Sequence, residues 1–280
     1  MNRTRALLLV AAVPLLIVLG LLVSAALGGD GGANTREREP EHTVATAPPP
    51  GPYAPPGTRR TDVGSGARGA AIFRAAEGED AAPGPVVVFL HGWIAVDPSA
   101  YGAWIAHLVR GGSTVIYPIY QEPPFLDTVT PLPNTLIALG SALKRVRVAP
   151  GRLVVAGHSA GGALAADYAA SARSAGLPAP AAVLSVYPGR SLRGISLRIP
   201  AVSARNIPAG TTVLALAGAR DRLVGTRVAR TIARTATRAT ATLRIVRDPA
   251  VADHAAPQRA GEAARRAFWA PLDRLIAATG

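Results

Sequence analysis

Beyond residue 69 the chain alternates short, unbroken apolar runs with longer stretches whose apolar positions recur every three or four residues. The runs predict strands at Ala70–Ala75, Val86–Leu90, Thr114–Ile119, Leu153–Ala156, Ala182–Val186, Thr212–Ala217 and Thr242–Val246. The periodic stretches predict helices at Tyr101–Arg110, Leu136–Val146, Gly161–Ser174, Arg227–Thr237 and Pro257–Ala277. Val86-Val87-Val88-Phe89-Leu90 and Val213-Leu214-Ala215-Leu216-Ala217 contain no polar residue, the pattern of strands covered on both faces. Alternation of this kind predicts an α/β fold: a central, mostly parallel sheet flanked by helices. In the last predicted helix Phe268, Leu272, Leu275 and Ile276 fall on one face and read as core.

Two different patterns precede this region. From Ala6 to Gly29 the chain is uncharged and rich in Leu, Val and Ala, with Arg3 and Arg5 before it. About 20 apolar residues cross a bilayer core, so residues 1–29 predict a signal-anchor with its N-terminus on the cytoplasmic side. Val23-Ser24-Ala25 has small residues spaced for cleavage, which keeps a cleaved signal peptide as the alternative. Either way the remainder is expected outside the cytoplasm, membrane-held in the first case and secreted in the second. Residues 30–68, with Pro48-Pro49-Pro50, Pro52, Pro55, Pro56 and few apolar anchors, read as a Pro/Gly-rich disordered tether that also contains His42. The folded domain is then expected over residues 69–280.

Composition narrows the chemistry. With 280 residues, 49% of them apolar, the chain can bury one large core, built mainly from Ala, Val, Leu and Ile because aromatics reach only 5%. The absence of Cys excludes disulfides, thiolate zinc sites and a cysteine nucleophile. A net charge of +13 suits an anionic partner in principle. The arginines are scattered, Lys144 is the only lysine, and no basic stripe interleaved with aromatics occurs, so nucleic acid is not an expected partner.

Gly157-His158-Ser159-Ala160-Gly161 is the single G-x-S-x-G of the chain, directly after a predicted strand and before a Gly/Ala-rich helix. A sharp strand-to-helix turn that lifts a serine hydroxyl above a sheet needs small residues two positions to either side. Such a hydroxyl needs a base, usually a His held by a carboxylate, and in this arrangement the chain order is Ser, acid, His. Downstream of Ser159 the only histidine is His254, in a predicted loop before the last helix. The carboxylates between them are Asp167, Asp221, Asp248 and Asp253. Asp167 lies two turns along the helix that follows Ser159, about 12 Å down its axis, and Asp253 is the base's own neighbour. Asp248 shares the base's loop and stays an alternative. Asp221 follows the strand Thr212–Ala217 through a three-residue turn and is the expected acid. The oxyanion donors are expected to be the backbone N–H groups of Ala160, beside the nucleophile, and of Trp93, in the loop after Val86–Leu90. His91 and His158 read as structural, hydrogen-bonded residues, and His107 as a helix residue of the core or surface.

Together, Val86–Trp93 with its His91-Gly92-Trp93, the Gly157–Gly161 turn, Gly218–Asp221 and His254 resemble the α/β-hydrolase superfamily. Within it the likeness is to bacterial serine esterases and lipases of the dienelactone-hydrolase or carboxylesterase kind, over about Ala70 to Gly280. The resemblance implies an eight-stranded sheet, a serine nucleophile, no metal, no organic cofactor, and a small-molecule or lipid ester as substrate. Trp93-Ile94-Ala95 follows Gly92 where a His-Gly-Gly-Gly loop would mark the hormone-sensitive-lipase branch, despite the similar Ser159-Ala160-Gly161-Gly162. The insertion Arg190 to Gly210 is short, so a small or absent cap and an open cleft are expected. Trp93, Tyr101, Trp104, Tyr120 and Phe125 are candidates for pocket walls or for packing, with Tyr120 and Phe125 singled out as substrate-binding. Arg190, Arg193, Arg198 and Arg205 have no acid near them in sequence and suit an anionic substrate or lipid headgroup; general Arg enrichment explains them equally well. The expected function is ester hydrolysis through an acyl-enzyme. An envelope acyltransferase with the same triad and a catalytically silent binding module are the alternatives, and peptidase or thioesterase chemistry uses the same residues.

Overall fold

A strand buried on both faces needs two layers of helix, and the five-residue run Val86–Leu90 illustrates how the chain supplies them. In the computed structural model, which describes residues 52–76, 84–191 and 198–279, all five residues are buried. Val86, Val88 and Leu90 pack on one face of the sheet, Val87 and Phe89 on the other, following the two-residue period of a strand.

The strands are β1 (Thr58–Val63), β2 (Ala70–Ala75), β3 (Val86–Leu90), β4 (Thr114–Pro118), β5 (Leu153–His158), β6 (Ala182–Val186), β7 (Thr212–Gly218) and β8 (Thr240–Val246). They form one sheet in the order β1-β2-β4-β3-β5-β6-β7-β8. The pairs from β4 to β8 are parallel, whereas β1 and β2 run antiparallel at one edge. Helices α2 (Pro131–Ala142), α3 (Ala160–Ser171) and α4 (Arg227–Thr235) cover one face. Helices α1 (Gly102–Arg110) and α5 (Ala270–Ala277) cover the other, through Trp104, Ile105, Leu108, Leu272 and Leu275. Strand order reverses at β3, which lies between β4 and β5, and the carboxyl ends of β3 and β5 therefore open a crevice of the kind where ligands bind in α/β sheets.

Four expectations need correction. Residues 52–68 belong to the domain, because Thr58–Val63 pairs with β2 over its whole length. This strand is polar in sequence because it is an edge, and its Arg59, Arg60 and Asp62 are the charged residues that protect edges from further pairing. The predicted signal-anchor at residues 1–29 and the first part of the predicted tether lie outside the described residues. Helix α2 starts five residues earlier than its apolar period suggests, with Pro131 at a first-turn position that needs no N–H. The last predicted helix is broken: a 3-10 turn (Ala256–Gln258), a short turn (Glu262–Ala264) and a π-helical turn (Arg265–Trp269) lead into α5. Pro271 cannot donate to the carbonyl of Ala267, which accepts from Arg244 instead at 3.4 Å.

The fourth correction concerns charge. Arg190 has an acid after all: its guanidinium grips Asp167 with two 2.7 Å bonds, and Asp167 also accepts the Val202 amide at 3.1 Å. Arg193 lies outside the described residues, and Arg198 and Arg205 are exposed. Within the insertion the described residues carry one 3-10 turn (Ala204–Asn206). Among the described residues, no helix is long and apolar enough to cross a membrane.

Burial pushes the Asp167 carboxyl up, and Arg190 opposes that shift. Arg190→Ala therefore strands a buried carboxylate and should cost about 3 kcal/mol, read from urea unfolding. Arg205→Ala, on the surface of the same insertion, should stay within about 0.5 kcal/mol of the parent.

Candidate active site

The turn from β5 into α3 puts Ser159 in a conformation that L-residues rarely adopt, φ 56° and ψ −120°. Its amide donates to the Val186 carbonyl at 3.0 Å, which ties the turn to the end of β6. Two glycines permit the turn. A methyl on Gly157 would lie 2.2 Å from the Gly161 carbonyl oxygen, and one on Gly161 would lie 2.1 Å from that of Leu90. The Gly161 amide donates to the His91 carbonyl at 2.9 Å, so the turn is also fastened to the end of β3.

His254 sits in the loop after β8 with its Nε2 2.9 Å from Ser159 Oγ and its Nδ1 2.7 Å from Asp221 Oδ2. The Asp221 side chain is fully buried. Its other oxygen accepts the amides of Leu223 at 3.0 Å and Val224 at 3.1 Å, so both oxygens are engaged and the carboxylate cannot swing. The loops that carry Asp221 and His254 are clamped together by Arg220 N–H to the Ala252 carbonyl, 3.1 Å. Gly218 is required here, since a methyl on it would stand 2.3 Å from that same oxygen. The Tyr187 hydroxyl donates to the Val251 carbonyl at 2.6 Å and holds the loop that carries His254.

The other carboxylates are occupied elsewhere. Asp248 accepts the Ala250 amide, Asp253 pairs with Arg259 at 2.7 and 2.8 Å, and Asp167 pairs with Arg190. His107, on α1, bonds Asp273 of α5 at 2.9 Å.

Ser159, Asp221 and His254 are thus brought together. The Trp93 amide makes no hydrogen bond among the described residues, and the Ala160 amide, first in α3, has no intrahelical acceptor. The loop that carries Trp93 is pinned on both sides. Gly92 N–H donates to the Tyr101 hydroxyl at 2.9 Å, and Ile94, at φ 64°, donates to Gln121 Oε1 at 3.1 Å.

Of the candidate aromatics, Tyr101 and Trp104 are core residues against Phe89. Tyr120 is buried, stacks on His91 with centroids 4.0 Å apart, and donates its hydroxyl to the His91 carbonyl. With Phe125 it also lines a cavity of about 320 Å³ that includes Gln121 and Asn134. A second cavity, about 440 Å³, adjoins the Asp221 loop at Val224 and is lined in part by Arg198 and Arg227. Sequence reasoning passed over Gln121 and Tyr187; nothing in local sequence distinguishes them from other polar or core residues.

A sequence model of a family described as alpha/beta hydrolase fold matches residues 87–224. The chain is similar in structure to a thermostable esterase from Pseudomonas putida ECU1011, at 21% identity and TM-score 0.61, over 80% of this chain and 84% of that one. It is similar to a Klebsiella pneumoniae subsp. pneumoniae protein assigned as a dienelactone hydrolase, at 21% identity and TM-score 0.56, over 75% of this chain and 92% of that one. An HSL homologue from a metagenome library shares 18% identity and TM-score 0.59, over 82% of this chain and 89% of that one. No curated protein matches the chain in sequence.

His91 is fully buried, and desolvation pushes its pKa down to about 4, opposed in part by its bond to the Gly92 carbonyl. The unfolded chain takes up this proton near pH 6.5, the native protein only near 4. The stability from neutral His91 is complete above about pH 6.5 and is lost as the pH falls toward 4, by about 3 kcal/mol in all. Urea midpoints should fall through that window, and less steeply in His91→Asn than in the parent.

Proposed function

We propose that this chain, which has the fold of the alpha/beta hydrolases and matches that family's model over residues 87–224, is a serine hydrolase of carboxylic esters. The observation that carries the reading is the line Asp221 Oδ2, His254, Ser159 Oγ, with contacts of 2.7 and 2.9 Å, at a strained turn above the sheet.

Ser159 Oγ attacks the ester carbonyl while His254 Nε2 takes its proton. Asp221 accepts Nδ1–H, which fixes the tautomer and stabilises the imidazolium. The amides of Trp93 and Ala160 hold the oxyanion, each such donor being worth about 2.7–4 kcal/mol. When the tetrahedral adduct collapses, the C–O bond to the alcohol breaks and His254 returns the proton to the departing oxygen. Water, deprotonated by His254, then attacks the acyl-serine, and Ser159 leaves with that proton as the acid is released. The apolar run from Ala6 to Gly29 supports a membrane-tethered, extracytoplasmic placement, with small-molecule or lipid esters as substrates. The same triad serves acyl transfer to an alcohol, and the products distinguish the two.

Intact mass after treatment with a fluorophosphonate should show one adduct, absent in Ser159→Ala, together with turnover of p-nitrophenyl esters of short acyl chains. New ester formed from an added alcohol in place of free acid would move the assignment to an acyltransferase. No adduct on folded protein would remove the assignment altogether. Asp221→Asn should lower kcat by about 10⁴, whereas Asp248→Asn should stay within a factor of two; the reverse order would reassign the acid.

A further inference from the structure

His158 stands next to the nucleophile in the chain, and the reaction above leaves it without a task. Its ring is buried and bonded at both nitrogens: Nδ1 lies 2.8 Å from the Tyr101 hydroxyl, and Nε2 lies 2.9 Å from the backbone oxygen of His254. A carbonyl only accepts, so Nε2 carries the proton and Nδ1 is the bare nitrogen. Tyr101 therefore donates its hydroxyl proton to Nδ1, while its oxygen accepts the Gly92 amide at 2.9 Å. The three bonds run in one direction from Gly92 to His254, the Tyr101 hydroxyl and the His158 ring each accepting one bond and donating the next.

We propose that His158 is a positioning residue for the ester-cleaving site, fixing the backbone of His254 against the oxyanion loop through Tyr101. The proposal rests on the serine-hydrolase reading. Asp221 holds the His254 ring at Nδ1 alone, and a ring held at one point can pivot. Fixing the carbonyl of the same residue supplies a second point, and Nε2 then has one place to face, Ser159 Oγ. At the other end, Tyr101 engages the Gly92 amide and leaves the next amide, that of Trp93, for substrate. Nucleophile, base and oxyanion donor are each one residue or one hydrogen bond from this line. Burial and the nearby His254 hold the His158 pKa well below its usual value. The two rings are 4.9 Å apart, so a neutral His158 adds no positive charge beside the imidazolium that forms on His254.

Two substitutions in the full-length protein separate the two ends of the ring. His158→Asn keeps an acceptor for Tyr101 and loses the donor to His254. His158→Gln places an amide N–H toward the His254 carbonyl and loses the acceptor. With p-nitrophenyl acetate, the Asn variant should lose about 30-fold in kcat, in the range expected for a misplaced catalytic group, with KM within two-fold of the parent. Fluorophosphonate labelling of Ser159 should slow in proportion, and His158→Gln should recover most of the loss. Tyr101→Phe combined with His158→Asn should lose less than the product of the single effects. Parent-like kcat in the Asn variant, or equal losses in Asn and Gln with KM raised, would overturn the proposal. Nitrogen-15 imidazole spectra test the bridge without reference to catalysis. They should show His158 as the neutral Nε2–H form from pH 5 to 8, and an Nδ1–H or protonated ring would overturn it. Parent protein with the expected spectrum but no adduct on Ser159 would instead sink the hydrolase reading, and the catalytic purpose of the bridge with it.

Discussion

The site depends on how closely the turn after β5 approaches the end of β3. Gly161 has no side chain because two carbonyl oxygens, of Leu90 and His91, occupy the space a methyl would need. That contact is also a bond, Gly161 N–H to the His91 carbonyl at 2.9 Å, and the same oxygen receives the Tyr120 hydroxyl. With its carbonyl held from two sides, His91 fixes the direction in which Gly92 and Trp93 leave the sheet. The Trp93 amide and the Ala160 amide then belong to two segments whose separation is set by backbone contact rather than by side-chain packing. The proposed role of these two amides as oxyanion donors requires this rigidity, since the advantage of fixed donors over water is that nothing reorients during reaction.

Asp221 and His254 are held in a similar way at the ends of β7 and β8. Parallel pairing brings Gly218 level with Val246, so the loops that follow start side by side. Gly218 lets the Ala252 carbonyl come close, Arg220 bonds it, and Tyr187 takes the Val251 carbonyl from the neighbouring strand end. Asp221 spends one oxygen on the backbone of its own turn and presents the other to His254. The loops are short, and the register of the sheet is enough to set their meeting point.

Much of this was legible in the sequence because the chemistry-bearing residues are scarce. One G-x-S-x-G, one downstream histidine and four intervening carboxylates narrow the candidates, and the place of Asp221 just past a predicted strand end favours it over the other three. The parallel strands were legible because burial on both faces leaves unbroken apolar runs. What was not legible depends on partners distant in sequence. β1 reads as linker since an edge strand has charged positions and is recognisable only from its pairing with β2. Arg190 and Asp167 are 23 residues apart on different elements, and no periodicity announces their ion pair. Tyr101, Trp104 and Tyr120 fall in the segments that border the site, yet Tyr101 and Trp104 turn into the core and Tyr120 is buried against His91. Loop position alone does not say which way a ring points.

The electrostatic character of the site follows from its histidines. His91 and His158 are buried and bond the carbonyls of Gly92 and His254, and burial pushes the pKa of both below the usual histidine value. A carboxylate in either place would compete with Asp221 for the imidazolium and oppose negative charge on the substrate oxygen. A cation would oppose protonation of His254. Neutral His158, accepting from Tyr101 and donating to the His254 carbonyl, ties two segments together without adding charge. The proposed reaction separates charge between an oxyanion and an imidazolium, and surroundings that are polar but uncharged leave that separation to Asp221 and the two amides.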